Sequence, residues 1–280
     1  MAFLFHFWKM EWVCYKGNFY PADQPLFSAQ HTAIKYGDGV FETIKIFRGK
    51  ILLNERHFER LFLSLQLLGI NDRVLDKDRI EANILLLCEK NGCSDCARVR
   101  LTVFRNDSAD YLIEAFSLPA TENELNSEGW LIGVFPLTRK NTDAFANIKS
   151  VNYQTYNLAH LYAQQKGWDE AIVLNAANKI ADGSRTNIFL IKDGDLFTPA
   201  LHQGCVNGVM RQYLIDELKK KGYRTYQTEV SEADLLQAEE VFCSNAIRGI
   251  RWVRQFKEKT YGSTTTQQLF RQFFTSMYNL

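Results

Sequence analysis

At 280 residues, with 46% hydrophobic and 13% aromatic side chains, the chain carries enough apolar surface to offset its ordering entropy, which excludes the disordered class and allows one large domain or two modest ones. Lys and Arg number 33 against 32 Asp and Glu, a formal net charge of +1, so there is no basic surplus for nucleic acid and no acidic tail. No apolar run approaches the roughly 20 residues a bilayer requires, which excludes a membrane partner of the helical kind.

The first ten residues are apolar but lack a basic leader and a small-residue cleavage site, and read as an extension of a cytoplasmic protein. Residues 12–20 are expected to form a hairpin around Lys16-Gly17-Asn18. Residues 40–47 follow as a strand, turned by Arg48-Gly49-Lys50 into Ile51-Leu52-Leu53. From 54 to 68, apolar residues at Phe58, Leu61, Phe62, Leu65 and Leu68 make a 3.6-residue stripe that predicts a helix stopped by Gly69. Residues 78–90 repeat that spacing with Ile80, Ile84, Leu87 and Cys88, and 97–104 alternate as a strand does.

Residues 119–129 are polar and poor in core formers, which predicts a linker between an N-terminal α/β domain over 1–118 and a C-terminal α/β domain over 130–280. In the second half, strands are expected at 130–137, 171–174 and 187–192, the last closed by the turn Asp193-Gly194-Asp195. A helix over 153–166 is capped by Gly167. Another over 209–221 carries Met210, Tyr213, Leu214 and Leu218 on one face and is stopped by Gly222.

Three features carry chemistry. Lys149 lies at an apolar strand-to-helix junction, where desolvation favours the neutral amine that attacks an aldehyde. Gly208-Val209-Met210-Arg211 opens a helix with bare amides suited to a phosphate. Between them Asp182-Gly183-Ser184 supplies a carboxylate, or only a turn. Together they are the parts needed to harness pyridoxal phosphate. Cys93-Ser94-Asp95-Cys96 supplies only two zinc ligands with no second pair, and the six cysteines read as reduced thiols. The five histidines have neither metal spacing nor a serine partner, so no metal is expected. No glycine turn ends in the Gly-Lys-Ser/Thr of a nucleotide loop.

Tyr36-Gly37-Asp38-Gly39-Val40-Phe41-Glu42-Thr43, then His57-Phe58-Glu59-Arg60-Leu61, and the segments around Lys149, Asp182, Gly208 and Asn245 together resemble the fold-type IV pyridoxal-phosphate family, the class IV aminotransferases. That group includes branched-chain and D-amino-acid aminotransferases and aminodeoxychorismate lyase. The resemblance runs in order over about residues 12–255. It implies an α/β fold of mixed α+β sheets in two domains, of the D-amino-acid-aminotransferase-like kind, with pyridoxal 5'-phosphate between them. It also implies a cytoplasmic homodimer whose neighbouring loop helps close each pocket, acting on amino acids and 2-oxo acids.

Carried over by position, the resemblance makes Lys149 the Schiff-base lysine and Arg60 the phosphate-binding arginine. Val209 and Met210 face the phosphate with their N–H groups. Asn245 and Ala246 contact phosphate and substrate carboxylate, with Ile247 beside them, and Tyr153 lines the cofactor ring. Tyr36 and Phe41 fall at substrate-binding positions. Asp182 stands where the family usually has Glu, pairing with the ring nitrogen. Being one methylene shorter, it requires a closer backbone, an intervening water or a less firmly protonated ring. Arg100 resembles a substrate-binding arginine of the branched-chain enzymes, whereas Arg105 resembles one shared by the D-amino-acid enzymes and the lyase. On a regular strand they point to opposite faces. The implied activity is transamination, with the lyase reaction and a non-catalytic cofactor binder as alternatives.

Overall fold

The computed structural model describes residues 11–106 and 109–278, and the N-terminal extension lies outside the described residues. Two compact units are present. One holds the chain through Glu122 together with Lys149–Asn152, the other Asn123–Ile148 and the chain from Tyr153 onward. Lys149–Asn152 group with the first unit because residues 149–151 hydrogen-bond into its sheet.

The first unit runs β1 (Trp12–Tyr15), β2 (Asn18–Pro21), α1 (Thr32–Tyr36), β3 (Gly39–Phe47), β4 (Lys50–Ile51), α2 (Asn54–Leu67), α3 (Lys77–Lys90), β5 (Cys96–Phe104) and β6 (Asp110–Ser117). Its strands form one antiparallel sheet in the order β2-β1-β6-β5-β3-β4. Two tight turns place paired residues at positive φ, Lys16 at 53° with Gly17 at 82° and Arg48 at 49° with Gly49 at 70°. That handedness is what a two-residue connection needs to match strand twist. The strand expected through Leu53 stops at Ile51, because Leu53 turns to φ 53° as the residue entering α2. The stripes of α2 and α3 bury Phe58, Leu61, Leu65, Ile80, Ile84 and Leu87, with α2 packed on β3 and α3 on β6 and β1.

The register sets which side chains can meet. Phe41 sits opposite Thr102 and Thr43 opposite Arg100, so these four share one face of the sheet, while Glu42 and Leu101 share the other. Phe41 N–H donates to the Lys149 carbonyl at 2.9 Å, Val151 N–H donates to the Gly39 carbonyl at 3.1 Å, and Val40 bridges Ser150. Residues 149–151 thereby act as one more short strand on the edge of β3, with Lys149 set against Phe41.

The second unit runs β7 (Trp130–Val134), α4 (Gln154–Lys166), β8 (Glu170–Leu174), β9 (Ile180–Gly183), β10 (Asn187–Lys192), β11 (Asp195–Pro199), α5 (Val209–Lys220), β12 (Thr225–Thr228), α6 (Glu232–Gln237), β13 (Glu240–Asn245), β14 (Gly249–Phe256), β15 (Lys259–Thr260) and α7 (Thr264–Tyr278). The sheet order is β12-β11-β10-β13-β14-β7-β8-β9, with β15 paired to β14. β7 lies parallel to both β14 and β8. It ends at Val134 rather than at 137, as Pro136 has no N–H to continue the ladder. One core gathers Ile132, Ile172, Ile188, Val241 and Val253. A second, where α4 packs on β8, gathers Phe135, Tyr156, Ala159, Ala163 and Val173. Within 119–129, Asn126 accepts from Trp252 N–H and donates to its carbonyl, each at 3.1 Å.

Candidate active site

In the first unit, Glu42 reaches from β3 to one face of α2. Its carboxylate accepts from Arg60 Nε at 2.8 Å, from Arg60 Nη2 at 2.5 Å and from His57 Nδ1 at 2.7 Å, and all three side chains are buried. His57 and Arg60 can converge because they are three residues apart on one helix. Burial alone would push the Glu42 carboxyl up, but Arg60 and His57 override it and hold it down to about 2. Burial also keeps His57 below the ordinary histidine range, so the ring stays neutral, donates through Nδ1 and leaves its buried Nε2 without a partner among the described residues.

Lys149 Nζ lies 4.5 Å from the centroid of the Phe41 ring, the Arg100 guanidinium lies 3.8 Å from the same centroid, and the Lys149 charge also bears on His57. Arg100 donates from Nε to Thr102 Oγ1 at 3.3 Å and stands 4.0 Å from Glu114. Arg105 is used elsewhere. It donates to Asp38 at 2.5 Å and to the Gly69 and Leu68 carbonyls at 2.9 and 2.5 Å, closing the C-terminal end of α2. Tyr36, at the end of α1, is 74% exposed. A cleft of about 820 Å³ lined by Phe58, Phe62, Leu63, Ile70 and Lys77 contains none of the candidate residues.

In the second unit the candidates converge on residues 182–187. Asp182 and Gly183 lie in strand β9, and the turn begins only at Ser184. Asp182 Oδ2 accepts from Tyr156 Oη at 3.0 Å and from Val206 N–H at 2.9 Å, while the buried Oδ1 has no partner among the described residues. Burial pushes this carboxyl up to about 7, against the pull of Lys140, the Val206 N–H and Tyr156. Tyr153 donates to the Ser184 carbonyl at 2.9 Å and stacks on Tyr156 with centroids 4.7 Å apart. Asn245 donates to the Arg185 carbonyl at 3.3 Å, and its Oδ1 accepts from the N–H groups of Ile247 and Arg248, shaping the turn that carries Ala246 and Ile247.

Val206, which holds Asp182, leads directly into α5. Gly208 occupies the residue before the helix, with no side-chain cap on the first amides, and Val209 and Met210 form its first turn. A Cβ on Gly208 would lie 1.9 Å from Asn187 Oδ1, and Asn187 Nδ2 in turn donates to the Val206 carbonyl at 2.9 Å. This close approach fixes the helix start beside the 182–187 turn. Such an N-terminus offers backbone N–H groups and a positive dipole end to an anion, and Oδ1 of Asp182 is a buried acceptor for a cationic N–H.

Several contributors went unassigned in the sequence. Glu42 and His57 carried a signal, a charged residue inside the apolar run 40–47 and a His three residues before Arg60. Tyr156 carried only its own spacing from Tyr153. Glu170 accepts from Ser184 N–H and Thr186 Oγ1 at 2.9 and 2.8 Å, among other donors of that turn, and no local pattern distinguished it.

The model of the amino-transferase class IV family matches residues 39–256. The chain is 30% identical over 223 residues to a D-alanine aminotransferase of Listeria innocua, covering 75% of each protein. It is 28% identical over 240 residues to an aminodeoxychorismate lyase of Bacillus subtilis, covering 81% of this chain and 80% of the relative. Its fold matches the crystal structure of a branched-chain aminotransferase from the archaeon Thermoproteus uzoniensis with a TM-score of 0.86 at 22% identity, over 96% of this chain and 95% of that one. A buried carboxylate with one open oxygen, an uncapped helix start and a lysine held on a sheet edge thus occur in a chain that belongs to the class IV aminotransferase family, whose enzymes use pyridoxal phosphate.

Proposed function

We infer that this protein is an aminotransferase that moves an amino group between an amino acid and a 2-oxo acid, of the branched-chain or D-amino-acid kind. The residues fit the cofactor. The unpartnered Oδ1 of Asp182 suits a protonated ring nitrogen, and the open amides at Val209 and Met210 suit a phosphate dianion. Arg60 is the further phosphate ligand, its fork held by Glu42 so that the guanidinium is oriented before any anion arrives. Asn245 and Ala246 take the remaining phosphate and carboxylate contacts, and Tyr153 packs on the ring.

When bound, pyridoxal phosphate supplies an electrophilic aldehyde and a ring that withdraws electrons. Lys149 Nζ is the amine that would engage that aldehyde, with water as the leaving group, and the base that would take the proton from the substrate's α carbon. Asp182 holds the ring-nitrogen proton. Arg100 takes a substrate carboxylate, with Phe41 beneath it and Tyr36 and Ile247 as further substrate contacts. A cytoplasmic homodimer is the expectation that accompanies this reading.

The observation that carries transamination is the position of Arg100. Its guanidinium lies against the same ring as the Lys149 amine, whereas Arg105 is spent on Asp38 and the end of α2. Likeness to a lyase over 81% of the chain supports the second reading, release of pyruvate and 4-aminobenzoate from aminodeoxychorismate. Purified protein with pyridoxal phosphate should show a visible absorbance band that Lys149→Ala abolishes. Loaded protein should then convert a 2-oxo acid to its amino acid at an amino donor's expense. Pyruvate release without that exchange would establish the lyase instead, and a colourless protein would leave only a binding role.

A further inference from the structure

Asp182 is a short carboxylate in a strand, and its reach is set by what grips it. β9 is buried along its whole length, so the side chain cannot borrow orientation from water. The same oxygen, Oδ2, receives both donors, one from the main chain at Val206 and one from the Tyr156 hydroxyl. The Val206 N–H is fixed by the approach to α5. The Tyr156 hydroxyl is fixed by packing, since the ring is 5% exposed in the first turn of α4, stacked on Tyr153 at a 29° interplanar angle, with Lys140 Nζ 5.2 Å over its ring. Lys140 is itself tethered, donating to the Ala146 carbonyl at 2.6 Å. Burial and the neighbouring carboxylate keep the Tyr156 phenol far above its ordinary titration range, so it remains a donor throughout the working pH.

A carboxylate whose two donors both reach one oxygen is left with a single open acceptor of defined direction, and here that acceptor is Oδ1, buried and without a partner among the described residues. We propose that Tyr156 is the positioning residue of the active site, a phenol that saturates Oδ2 of Asp182 and so reserves Oδ1 for the ring nitrogen of pyridoxal phosphate. The proposal rests on the reading that Asp182 serves that nitrogen. It accounts for how a carboxylate one methylene shorter than Glu can do so, because orientation comes from α4 and not from side-chain length. It also ties Tyr153 to the same device, since the ring that packs on the cofactor is stacked on the ring that aims the carboxylate.

Groups on five segments bear on Asp182: Lys140 after β7, Tyr156 from α4, Glu170 from β8, Cys205 before α5 and Arg211 from α5. Of these, Tyr156 hydrogen-bonds to the carboxylate, and among the described residues the Val206 N–H is the other donor to it. Tyr156→Phe keeps the stacked ring and removes one oxygen, so folding of the cofactor-free variant, checked by circular dichroism and melting, should be preserved. The readouts are the dissociation constant for pyridoxal phosphate, from a visible absorbance titration, and the 15N shift of ring-labelled cofactor in the loaded protein.

Loss of one hydrogen bond to a charged acceptor should weaken the cofactor about ten- to a hundredfold and move the 15N signal towards the unprotonated nitrogen. Asp182→Asn should weaken it further, and Asp182→Asn with Tyr156→Phe should bind no worse than Asp182→Asn alone, because the phenol acts through the carboxylate. If Tyr156→Phe binds as wild type while Asp182→Asn is impaired, the positioning role is overturned and the reading of Asp182 stands. Additive losses in the double variant would overturn it as well, showing that Tyr156 serves packing alone. If Asp182→Asn leaves affinity and 15N shift unchanged, the reading of Asp182 itself falls, and the role of Tyr156 with it.

Discussion

Replacing Asp182 by Asn should flatten the pH dependence of folding in the cofactor-free protein. Burial raises this carboxyl from an ordinary 3.8 to about 7, so the folded chain binds its proton more tightly than the unfolded chain does. The stability contributed by the protonated form is fully present below 3.8 and is lost as pH climbs through about 7. At about 1.4 kcal/mol per tenfold change in proton affinity, the loss is at most roughly 4 kcal/mol, and relaxation of the buried site lowers the expected figure to about 2–4 kcal/mol. Asn keeps an amide oxygen for Tyr156 and Val206, so the packing survives with a pH-independent offset. Glu42 and His57 titrate alike in both proteins and cancel in the difference. Urea unfolding at a series of pH values from 4 to 8.5 measures it. Parallel stability curves for the two proteins would refute the claim that this side chain is buried as a high-affinity acid.

Two further outcomes test the scaffold. Arg60→Ala should destabilise the cofactor-free protein by about 3–5 kcal/mol, since it leaves the Glu42 carboxylate buried with only neutral His57, and adding Glu42→Ala should cost less than the sum of the single changes in the same unfolding assay. Gly208→Ala forces a Cβ to within 1.9 Å of Asn187 Oδ1, displacing the side chain that holds the Val206 carbonyl. It should lower stability by about 1–3 kcal/mol, read as a fall in melting temperature, and weaken pyridoxal phosphate in an absorbance titration.

How much was legible depended on how local the cause was. α2, α3, α4 and α5 follow from apolar spacing and a stop at Gly or a polar turn, and their boundaries fall within one residue of the sequence expectation. β9 was not anticipated, because Ile180-Ala181-Asp182-Gly183 is buried on both sides and shows neither alternation nor a run of branched residues. α7 begins with three threonines and owes its helix to burial of Leu269, Phe270, Phe273 and Phe274, a tertiary effect that propensity does not report. Among the candidate residues, Lys149, Arg60 and Asp182 were marked by motif. The separation of Arg100 from Arg105 needed the cross-strand register of β3 and β5, and the link from Tyr156 to Asp182 joins residues 26 apart in the chain.

All six thiols are buried and none is joined to another. Alkylating reagents can therefore reach them only when the protein opens, and each sulfur becomes a clock for the part of the chain that covers it. Cys14, Cys88, Cys93 and Cys96 sample the first unit and Cys205 and Cys243 the second, with Cys205 lying beside the peptide that grips Asp182. Mass-resolved labelling of the wild-type chain would thus read the breathing of each half separately, with no engineered probe.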